Sequence, residues 1–369
     1  MMYQRLLQKL FPKKFHKHWN ILRKSKNSNL DEDLKFLTNS FIGSKSYKFV
    51  SNFWHILNIA NYDELSKNGL SKFGSTIAGN YYTFRVFDDE HIKESIDKIK
   101  NKNINLSSDI FKIHNNFSYK ESLNYNLICL ILFYNLVDKD IYKYLKKLQD
   151  KTYLGFDTPY ISMNNYKITT DKLVSLFDFD KIDRAFDLNS IKSILEIGAG
   201  SGRTSEAILS IKDNISYVVC DIPPAIYISF KRLKLAFPNK KIEYLVDISN
   251  KDELNKKIKK NDISFIYPHQ MELISKDAFD LTIAIDCFHE MDKKTIANYF
   301  KYINNFSKLF YLSIWGNSKN NYSKTLFKKT ERLNYYKGDY NIPKNWQINF
   351  EENLVFPANQ ISLGFRIKN

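Results

Sequence analysis

The sequence has few cysteines and no long hydrophobic segment. Its 369 residues include three cysteines, which are too few and too scattered for a disulfide framework or a zinc site, and this favours a reducing, cytoplasmic compartment. The longest apolar run, from Leu127 to Val137, is interrupted by Asn135 and is far shorter than the ~20 residues that span a membrane. Hydrophobic residues still make up 43% of the chain, which is enough for a sizeable core and excludes global disorder.

Glycine is scarce, with 11 in the whole chain, or about 3% against the ~7% typical of proteins. Three of the 11 fall within five residues, at Gly198, Gly200 and Gly202. They follow the apolar stretch Ser193–Ile197, which predicts a short strand. Glycines at a strand-to-helix turn let the backbone approach a ligand closely, so the sequence predicts a ligand-binding turn at this point.

Acidic residues are absent from residues 1–30, which carry eight Lys or Arg. The chain has 56 Lys+Arg and 40 Asp+Glu, a net charge of +16; without this segment the count is 48 against 40, or +8. Mutational bias in an AT-rich genome explains the excess of lysine as well as an anionic partner does, and both interpretations stay open. Leucine and aromatic residues lie among these lysines, so peripheral contact with an anionic membrane is a hypothesis for residues 1–30.

The pattern of the sequence changes near its middle and predicts two domains, 1–150 and 151–369. In the first, stretches such as Tyr47–Ala60 and Tyr119–Gln149 have helical apolar spacing, which predicts a helical N-terminal domain without a catalytic signal of its own. In the second, short apolar runs alternate with helical segments, which predicts an α/β domain with a mostly parallel sheet and helices on both faces. The joint is predicted at Leu154–Tyr166, which contains a glycine and a proline.

Seven apolar runs in the second part are predicted as strands. They are Ser193–Ile197, Ser216–Asp221, Ile263–Tyr267, Leu281–Asp286, Leu309–Ile314, Trp346–Phe350 and Ile361–Ile367. Thr169 or Thr170 is predicted to cap the first helix of this domain. The segment Lys241–Lys260 is ambiguous, and we interpret Glu243–Val246 as part of an insertion, because Ile263–Asp286 already supplies the usual strand–turn–strand spacing.

The glycine cluster departs from the dinucleotide-binding pattern G-x-G-x-x-G, because its third glycine comes one residue early. An acid, Glu196, also ends the preceding strand. A dinucleotide would place its pyrophosphate against this turn, where an acid would repel it. S-adenosylmethionine carries an ammonium and a sulfonium instead of phosphates, so the acid favours that cofactor.

A second acid, Asp221, ends the next predicted strand, 19 residues beyond Gly202. An acid at this place accepts hydrogen bonds from ribose hydroxyls in nucleotide-binding folds. The two motifs occur in the expected order on consecutive strands. Together they predict a site for a cofactor that contains a ribose.

Three runs resemble the sugar O-methyltransferases of bacterial surface-glycan gene clusters, which are class I S-adenosylmethionine-dependent enzymes. The runs are Glu196-Ile-Gly-Ala-Gly-Ser-Gly-Arg203, Cys220-Asp-Ile-Pro-Pro-Ala225, and Phe279-Asp-Leu-Thr-Ile-Ala-Ile-Asp286 followed by Phe288-His-Glu-Met291. The resemblance covers about Gly155 to the C-terminus, and more weakly Leu65-Ser-Lys-Asn-Gly-Leu-Ser-Lys-Phe73. It implies a Rossmann-like class I methyltransferase sheet whose last strand is antiparallel.

The resemblance also implies roles for individual residues around S-adenosylmethionine. Asp221 would hold the ribose, and Glu196 would face the amino-acid end of the cofactor. Ile222 would lie against the adenine, near the turn Pro268-His269-Gln270. The implied cofactor-binding set is Glu196, Gly198, Ala199, Gly200, Gly202, Asp221, Ile222, Gln270 and Asp286.

The segment after the fourth core strand, Asp286 to Asp292, contains the predicted catalytic residues, His289 and Glu290. Ligands of an open parallel sheet lie outside the carboxyl ends of its strands, and His289 is predicted there. Methyl transfer to a hydroxyl requires removal of a proton, and a histidine accepts one readily at neutral pH. The order His-acid-x-Asp also resembles the catalytic-histidine motif of plant-type O-methyltransferases.

Several alternatives remain at this segment. His289 could instead bond only its neighbours at a helix start, and His269 is a second candidate for the base. In the resembled sugar family the position of His289 is often glutamine, so a universal base does not carry over. Trp315 either stacks on a sugar ring as a substrate residue or fills the core.

A divalent metal is a further open question at this segment. Asp286, Glu290 and Asp292 could hold Mg²⁺ with waters. The simpler interpretation gives Asp286 to the cofactor and Asp292 to a helix cap. We therefore predict no metal site, although a divalent metal is not excluded.

The combined expectation is an S-adenosylmethionine-dependent O-methyltransferase, cytoplasmic or peripheral at the inner membrane face. Its acceptor would be a sugar hydroxyl of a bacterial surface glycan, a nucleotide sugar or a lipid-linked intermediate. A methyltransferase of small phenolic or polyketide hydroxyls is the main alternative. An RNA methyltransferase ranks lower, because the Asn/Asp-Pro-Pro-Tyr and catalytic-cysteine signatures are absent. A non-catalytic binding protein ranks lower as well, because the cofactor motifs are intact.

Overall fold

The computed structural model describes residues 31–46, 50, 52–72, 97, 118–149, 160–163, 165–315, 337–354 and 360–368. Its helices are α1 (Glu32–Gly43), α2 (Asn52–Asn68), α3 (Tyr119–Asp138), α4 (Leu145–Gln149), α5 (Thr170–Phe186), α6 (Arg203–Ile211), α7 (Ala225–Ala236), α8 (Lys251–Lys260) and α9 (Lys293–Phe306). Its strands are β1 (Ile161–Met163), β2 (Tyr166–Ile168), β3 (Ser193–Ile197), β4 (Ser216–Cys220), β5 (Ile242–Tyr244), β6 (Ile263–Ile266), β7 (Phe279–Ile285), β8 (Ser307–Trp315), β9 (Trp346–Leu354) and β10 (Gln360–Ile367).

Eight strands form one sheet in the order β5-β6-β4-β3-β7-β8-β10-β9. The pairs from β5 to β8 are parallel, whereas β10 pairs antiparallel with both β8 and β9. The central strands read as short apolar runs because helices cover both faces of the sheet and leave their residues buried. The predicted α/β fold, with a mostly parallel sheet and an antiparallel last strand, is confirmed.

Helices α5 and α9 begin at the capping residues that the sequence predicts. Thr169 caps α5 by accepting a hydrogen bond from the Lys172 amide at 3.3 Å, and Asp292 caps α9 by accepting one from the Thr295 amide at 2.8 Å. Such caps satisfy amides of the first turn that have no partner within the helix. The cap at Asp292 fixes where the chain turns after β7, and so positions the residues between them.

One sequence prediction is wrong, because Glu243–Val246 overlaps a strand of the main sheet and is not simply part of an insertion. Strand β5 pairs parallel with β6, and Ile242 lies beside Ile263. Strand β6 also pairs parallel with β4, so it lies between β5 and β4. The short β5 adds an outer strand, and its Tyr244 ring stacks on Phe230 of α7 with the ring centroids 3.7 Å apart.

The N-terminal helices pack directly on the sheet and its helices. Lys231 of α7 pairs with Asp31 at 3.1 Å and with Asp33 at 2.6 Å. The Tyr267 hydroxyl donates to the Leu37 carbonyl at 2.7 Å. Buried residues of α1, α2 and α3 belong to the same hydrophobic cluster as those of α5 and the sheet. The division into domains at residue 150 stays a prediction.

Within the described residues, no helix has both the length and the hydrophobicity needed to cross a bilayer. The longest of them, α3, buries most of its apolar residues within the protein. The segment 1–30, for which membrane contact is a hypothesis, lies outside the described residues.

Candidate active site

A cavity of about 150 Å³ lies at the carboxyl ends of the central strands. One wall comes from the ends of β3, β4 and β7 and the turns that follow them. The other comes from the N-terminal helical region, through Ser46, Val50, Trp54 and Asn58. This is the edge of an open parallel sheet at which ligands bind. Seven of the nine predicted cofactor residues line it: Glu196, Gly198, Ala199, Gly200, Asp221, Ile222 and Asp286.

The glycine turn packs too closely for side chains. Gly198 has a φ of +72°, and a Cβ added there would lie 2.7 Å from the Cβ of Cys287. Its amide donates to the Cys220 carbonyl at 2.9 Å, which ties the turn to the end of β4. Gly202 has a φ of +75° and starts α6, but it does not line the cavity. Its contribution is therefore to the shape of the turn.

Asp221 organises the same turn from the neighbouring strand. Its carboxylate accepts hydrogen bonds from the Gly200 amide at 2.8 Å and from the Ile222 amide at 2.7 Å. Burial raises the pKa of Asp221 to about 7, although these two amides oppose the shift. The carboxylate thus connects the two sequence motifs physically, and it lies at the cavity where a ribose would need an acceptor.

Glu196 is a second buried acid on the cavity wall, with 2% of the residue exposed. Its Oε2 accepts a hydrogen bond from the Tyr217 hydroxyl at 2.9 Å. Burial raises the pKa of Glu196 to about 7, and the Tyr217 hydroxyl and Arg203 moderate the shift. An acid in this environment is poised to ionise when a cation enters the cavity.

Asp286, directly after β7, is the third acid. It has a φ of +54°, a left-handed conformation that an aspartate tolerates better than most residues. The Gln360 amide donates to both of its carboxylate oxygens, at 2.7 and 2.9 Å. Burial raises the pKa of Asp286 to about 6, and the nearby Arg203 guanidinium opposes the shift. Gln360 thus fixes the direction of this carboxylate from the antiparallel strand β10.

Two cavity residues that the sequence did not single out, Arg203 and Asp171, are held by ion pairs. Arg203 Nη1 donates to Asp178 at 2.7 Å, and its Nη2 lies 3.9 Å from Asp286. Asp171 accepts from Arg232 at 2.8 Å. Asp171 and Arg203 therefore have partners within the protein. The position of Arg203 beside the glycine cluster was the available sequence signal for it.

The turn after β7 separates the two predicted catalytic residues. Glu290 lines the cavity, whereas His289 does not line it in the part of the chain that the structure describes. The His289 ring is buried and stacks on Trp315, with ring centroids 4.5 Å apart, and its Nε2 lies 3.9 Å from Glu290 Oε1. Trp315 is not among the described residues that line the cavity either. Glu290 is thus the cavity-facing member of the pair, and His289 lies behind it.

Gln270 was predicted to bind the cofactor and instead supports the backbone. Its amide nitrogen donates to the Leu245 and Ile248 carbonyls, both at 2.7 Å, and its oxygen accepts from the Tyr267 amide at 2.8 Å. These bonds hold the turn after β6, whose Pro268 does line the cavity. The side chain of Gln270 therefore acts on the site through that turn.

The N-terminal wall was missed by sequence reasoning, because helical spacing does not show which surface a helix covers. Ser46 connects this wall to the turn after β6: its hydroxyl accepts from the His269 amide at 3.0 Å and lies 2.9 Å from His269 Nδ1. Burial lowers the pKa of His269. His269 is therefore held in a contact between the two walls, which leaves it poorly placed to act as a base.

Within the described ranges, no group of three or more His, Cys, Asp or Glu side chains is arranged to hold a metal ion. Two of the three acids considered for Mg²⁺ have other contacts. Asp292 caps α9, and Asp286 is bonded by Gln360. The Asp292 cap is the one expected from the sequence, and the absence of a metal site stays a prediction.

No protein-family model matches the sequence, and no curated protein matches it. Solved structures overlap with about half of the chain. The PH0226 protein of Pyrococcus horikoshii overlaps 53% of this chain and 90% of its own, with 13% identity and a TM-score of 0.36. An O-methyltransferase family protein of Burkholderia thailandensis overlaps 54% of this chain and 58% of its own, with 10% identity and a TM-score of 0.36.

The mitomycin 7-O-methyltransferase MmcR overlaps 54% of this chain and 57% of its own, with 11% identity and a TM-score of 0.35. Overlaps of this extent do not indicate an activity for this chain. The case for a function comes from the cavity and from Glu196, Asp221 and Asp286 on its wall.

Proposed function

We propose that the protein is an S-adenosylmethionine-dependent O-methyltransferase. The observation that carries this proposal is a set of three carboxyl groups on one cavity beside a glycine turn: Glu196 and Asp221, which are buried, and Asp286, which is partly buried. Burying acids around a cavity is costly unless the ligand that enters supplies positive charge or hydrogen-bond donors. A ligand with phosphates at the turn would be repelled, whereas one with an ammonium and a sulfonium is attracted.

The residues present fit this cofactor. Gly198 and Gly200 line the cavity and have no side chains, so they expose backbone to a ligand there. Asp221 would accept from the ribose hydroxyls, and Ile222 would lie against the adenine. Glu196 and Asp286 would face the charged amino-acid end. When bound, S-adenosylmethionine supplies a methyl group that is already activated for transfer to a nucleophile.

The chain's own chemical task is then to position a hydroxyl and to accept its proton. We assign proton acceptance to the pair Glu290 and His289. Glu290 lines the cavity and would take the proton at a carboxylate oxygen. His289, 3.9 Å behind it, would stabilise the carboxylate or take the proton onward.

We propose a sugar hydroxyl of a bacterial surface glycan, or of its precursor, as the acceptor. The support is the resemblance of the Cys220–Ala225 and Phe288–Met291 runs to sugar methyltransferases. A small phenolic or polyketide hydroxyl is the alternative. The basic segment 1–30 suggests that the protein works next to an anionic membrane, where lipid-linked glycans are assembled.

Untargeted mass spectrometry of surface glycans and small metabolites, from cells with and without the protein, tests this proposal. One glycan residue should lose the mass of one methylene group when the protein is absent. Cells that express a Glu290→Gln variant serve as the matched control for loss of chemistry. A change confined to an aromatic metabolite would support the alternative acceptor. No change in either, together with no calorimetric binding of S-adenosylmethionine, would contradict the methyltransferase assignment.

A further inference from the structure

Helix α2 contributes two side chains to the cavity, Trp54 and Asn58. They are four residues apart, so they lie on the same face of the helix. Asn58 is 1% exposed, and neither its amide nitrogen nor its carbonyl oxygen has a hydrogen-bond partner in the part of the chain that the structure describes. An amide that is buried, unpaired and on a cavity wall is the feature from which the inference starts.

Buried amides in folded proteins are almost always hydrogen-bonded, because an unpaired one costs free energy. The same protein shows the usual solution at Gln270, whose amide is fully buried and makes three hydrogen bonds to backbone groups. Asn58 differs from Gln270 in that both of its polar side-chain atoms lack a partner among the described residues. Its two N–H donors and its carbonyl acceptor are available to a ligand in the cavity.

We propose that Asn58 is a specificity-determining residue that binds the methyl acceptor, with Trp54 beside it on the same wall. This inference rests on the proposed function. The carboxamide is neutral and both donates and accepts, which matches a hydroxyl next to the one that is methylated. The three acids on the opposite parts of the cavity disfavour an anionic acceptor group at this point.

The location of Asn58 favours the acceptor over the cofactor. The groups proposed for the cofactor's ribose and charged end, Asp221, Glu196 and Asp286, all lie on the strand ends. Helix α2 belongs to the other wall, which the N-terminal helices supply. A tryptophan and a carboxamide together offer an apolar surface and paired polar contacts, the combination that a polyhydroxylated ring requires.

The test uses Asn58→Leu, which removes the polar atoms and keeps the branched shape and the number of side-chain heavy atoms, with Asn68→Ala as the control. Asn68 is on the same helix, exposed and bonded to Glu64 at 2.8 Å. Cells that lack the protein are complemented at matched expression levels with the wild type or either variant. We expect Asn58→Leu to lower the methylated glycan by about tenfold or more, the loss expected for one missing hydrogen bond, and Asn68→Ala to restore it.

Two measurements on the purified proteins separate binding from structure. Asn58→Leu should melt at the same temperature as the wild type or higher, because it removes an unpaired buried amide. Its calorimetric affinity for S-adenosylmethionine should be unchanged. A lower melting temperature with normal glycan methylation would overturn the inference and give Asn58 a structural role.

The remaining outcomes also separate the inference from the function it rests on. Weaker cofactor binding by Asn58→Leu would place Asn58 in the cofactor site and overturn the inference, while the methyltransferase assignment stands. Full glycan methylation by Asn58→Leu would overturn it as well. If the wild type neither binds S-adenosylmethionine nor changes any glycan, the proposed function itself fails.

Discussion

Asp221 combines two tasks in one carboxylate, since it holds the glycine turn and faces the cavity. Replacing it with alanine removes the acceptor for the Gly200 and Ile222 amides as well as the proposed acceptor for the ribose. We expect Asp221→Ala to weaken S-adenosylmethionine binding by about 1–3 kcal/mol, measured by calorimetry. Asp221→Asn, which keeps one acceptor oxygen, should lose less. An unchanged affinity for Asp221→Ala would contradict the cofactor assignment.

We expect Glu196 to make the affinity for the proposed cofactor depend on pH. Its pKa of about 7 means that the acid is largely protonated in the free protein below pH 7. A cationic ligand favours the ionised form, so binding releases a proton below that value. Affinity for S-adenosylmethionine should therefore rise with pH up to about 7 and then level off. Ionisation of Glu196 accounts for at most about a tenfold rise in affinity per pH unit.

Calorimetry in two buffers with different ionisation enthalpies measures that proton release directly. Glu196→Gln is the matched control, because it keeps the size of the side chain and removes the titrating group. The variant should bind more weakly and show a flatter pH dependence. The free energy of unfolding of the ligand-free protein should fall as pH rises from about 4.5 to about 7. In this range Glu196 holds a proton in the folded state and releases it in the unfolded chain. A cofactor affinity that falls with pH in the wild type would contradict this account.

The residues that sequence could predict are those whose place follows from strand order. Glu196 and Asp221 end consecutive parallel strands, and the carboxyl ends of such strands meet at one edge. Asn58 and Ser46 could not be predicted in the same way, because their contact with the cavity depends on how separate helices pack. Gln270 was predicted from a turn near the site, but a turn does not show which way its side chain points.

At the scale of elements, the turn between β7 and α9 carries the proposed chemistry. Glu290→Gln should lower kcat by about 10²–10⁴-fold, as expected for loss of a general base, and leave cofactor affinity nearly unchanged. His289→Gln should lower kcat less, because the cavity-facing carboxylate remains. Single-turnover kinetics with the acceptor found by mass spectrometry measures both.

The relative size of the two effects distinguishes the roles. A larger loss for His289→Gln than for Glu290→Gln would make the imidazole the base and require its ring to leave the stack on Trp315. Asp292→Ser keeps a capping oxygen at the start of α9 and is the control for general disturbance of the turn. Loss of activity on chelation, restored by Mg²⁺, would instead give Asp286, Glu290 and Asp292 a metal-binding role.

The predicted strands between residues 193 and 315 lie within two residues of the observed bounds, and α5 and α9 start at their predicted caps. These elements are recognisable because apolar runs, caps and prolines are local signals. Strand β5 was misassigned because membership of a sheet depends on a partner, here β6, that lies later in the chain. Helix α2 extends beyond the apolar stretch Tyr47–Ala60 to Asn68, and Tyr62 and Leu65 of its second half are buried in the core.

At the scale of the whole molecule, charge is unevenly divided. The net charge is +16, and residues 1–30 supply half of it. Helix α8 is another basic segment, with exposed lysines at Lys256, Lys259 and Lys260. Basic residues near an anionic membrane surface contribute up to about 1 kcal/mol each, within a Debye length. Residues 1–30 and helix α8 are therefore two candidate membrane-binding surfaces. Removing the same charge from each identifies the one that binds the membrane.

Flotation with vesicles that contain an anionic phospholipid tests the proposal for residues 1–30. Neutralising Lys13, Lys14 and Lys17 with glutamine in the full-length protein should abolish binding that the wild type shows at low salt. The matched control replaces Lys256, Lys259 and Lys260 with glutamine, which removes the same charge from α8, and it should still bind. Wild-type binding should disappear at high salt, because charge attraction without insertion is screened. Loss of binding in the α8 variant alone would move the membrane surface to that helix, and wild-type protein that never floats would contradict membrane contact altogether.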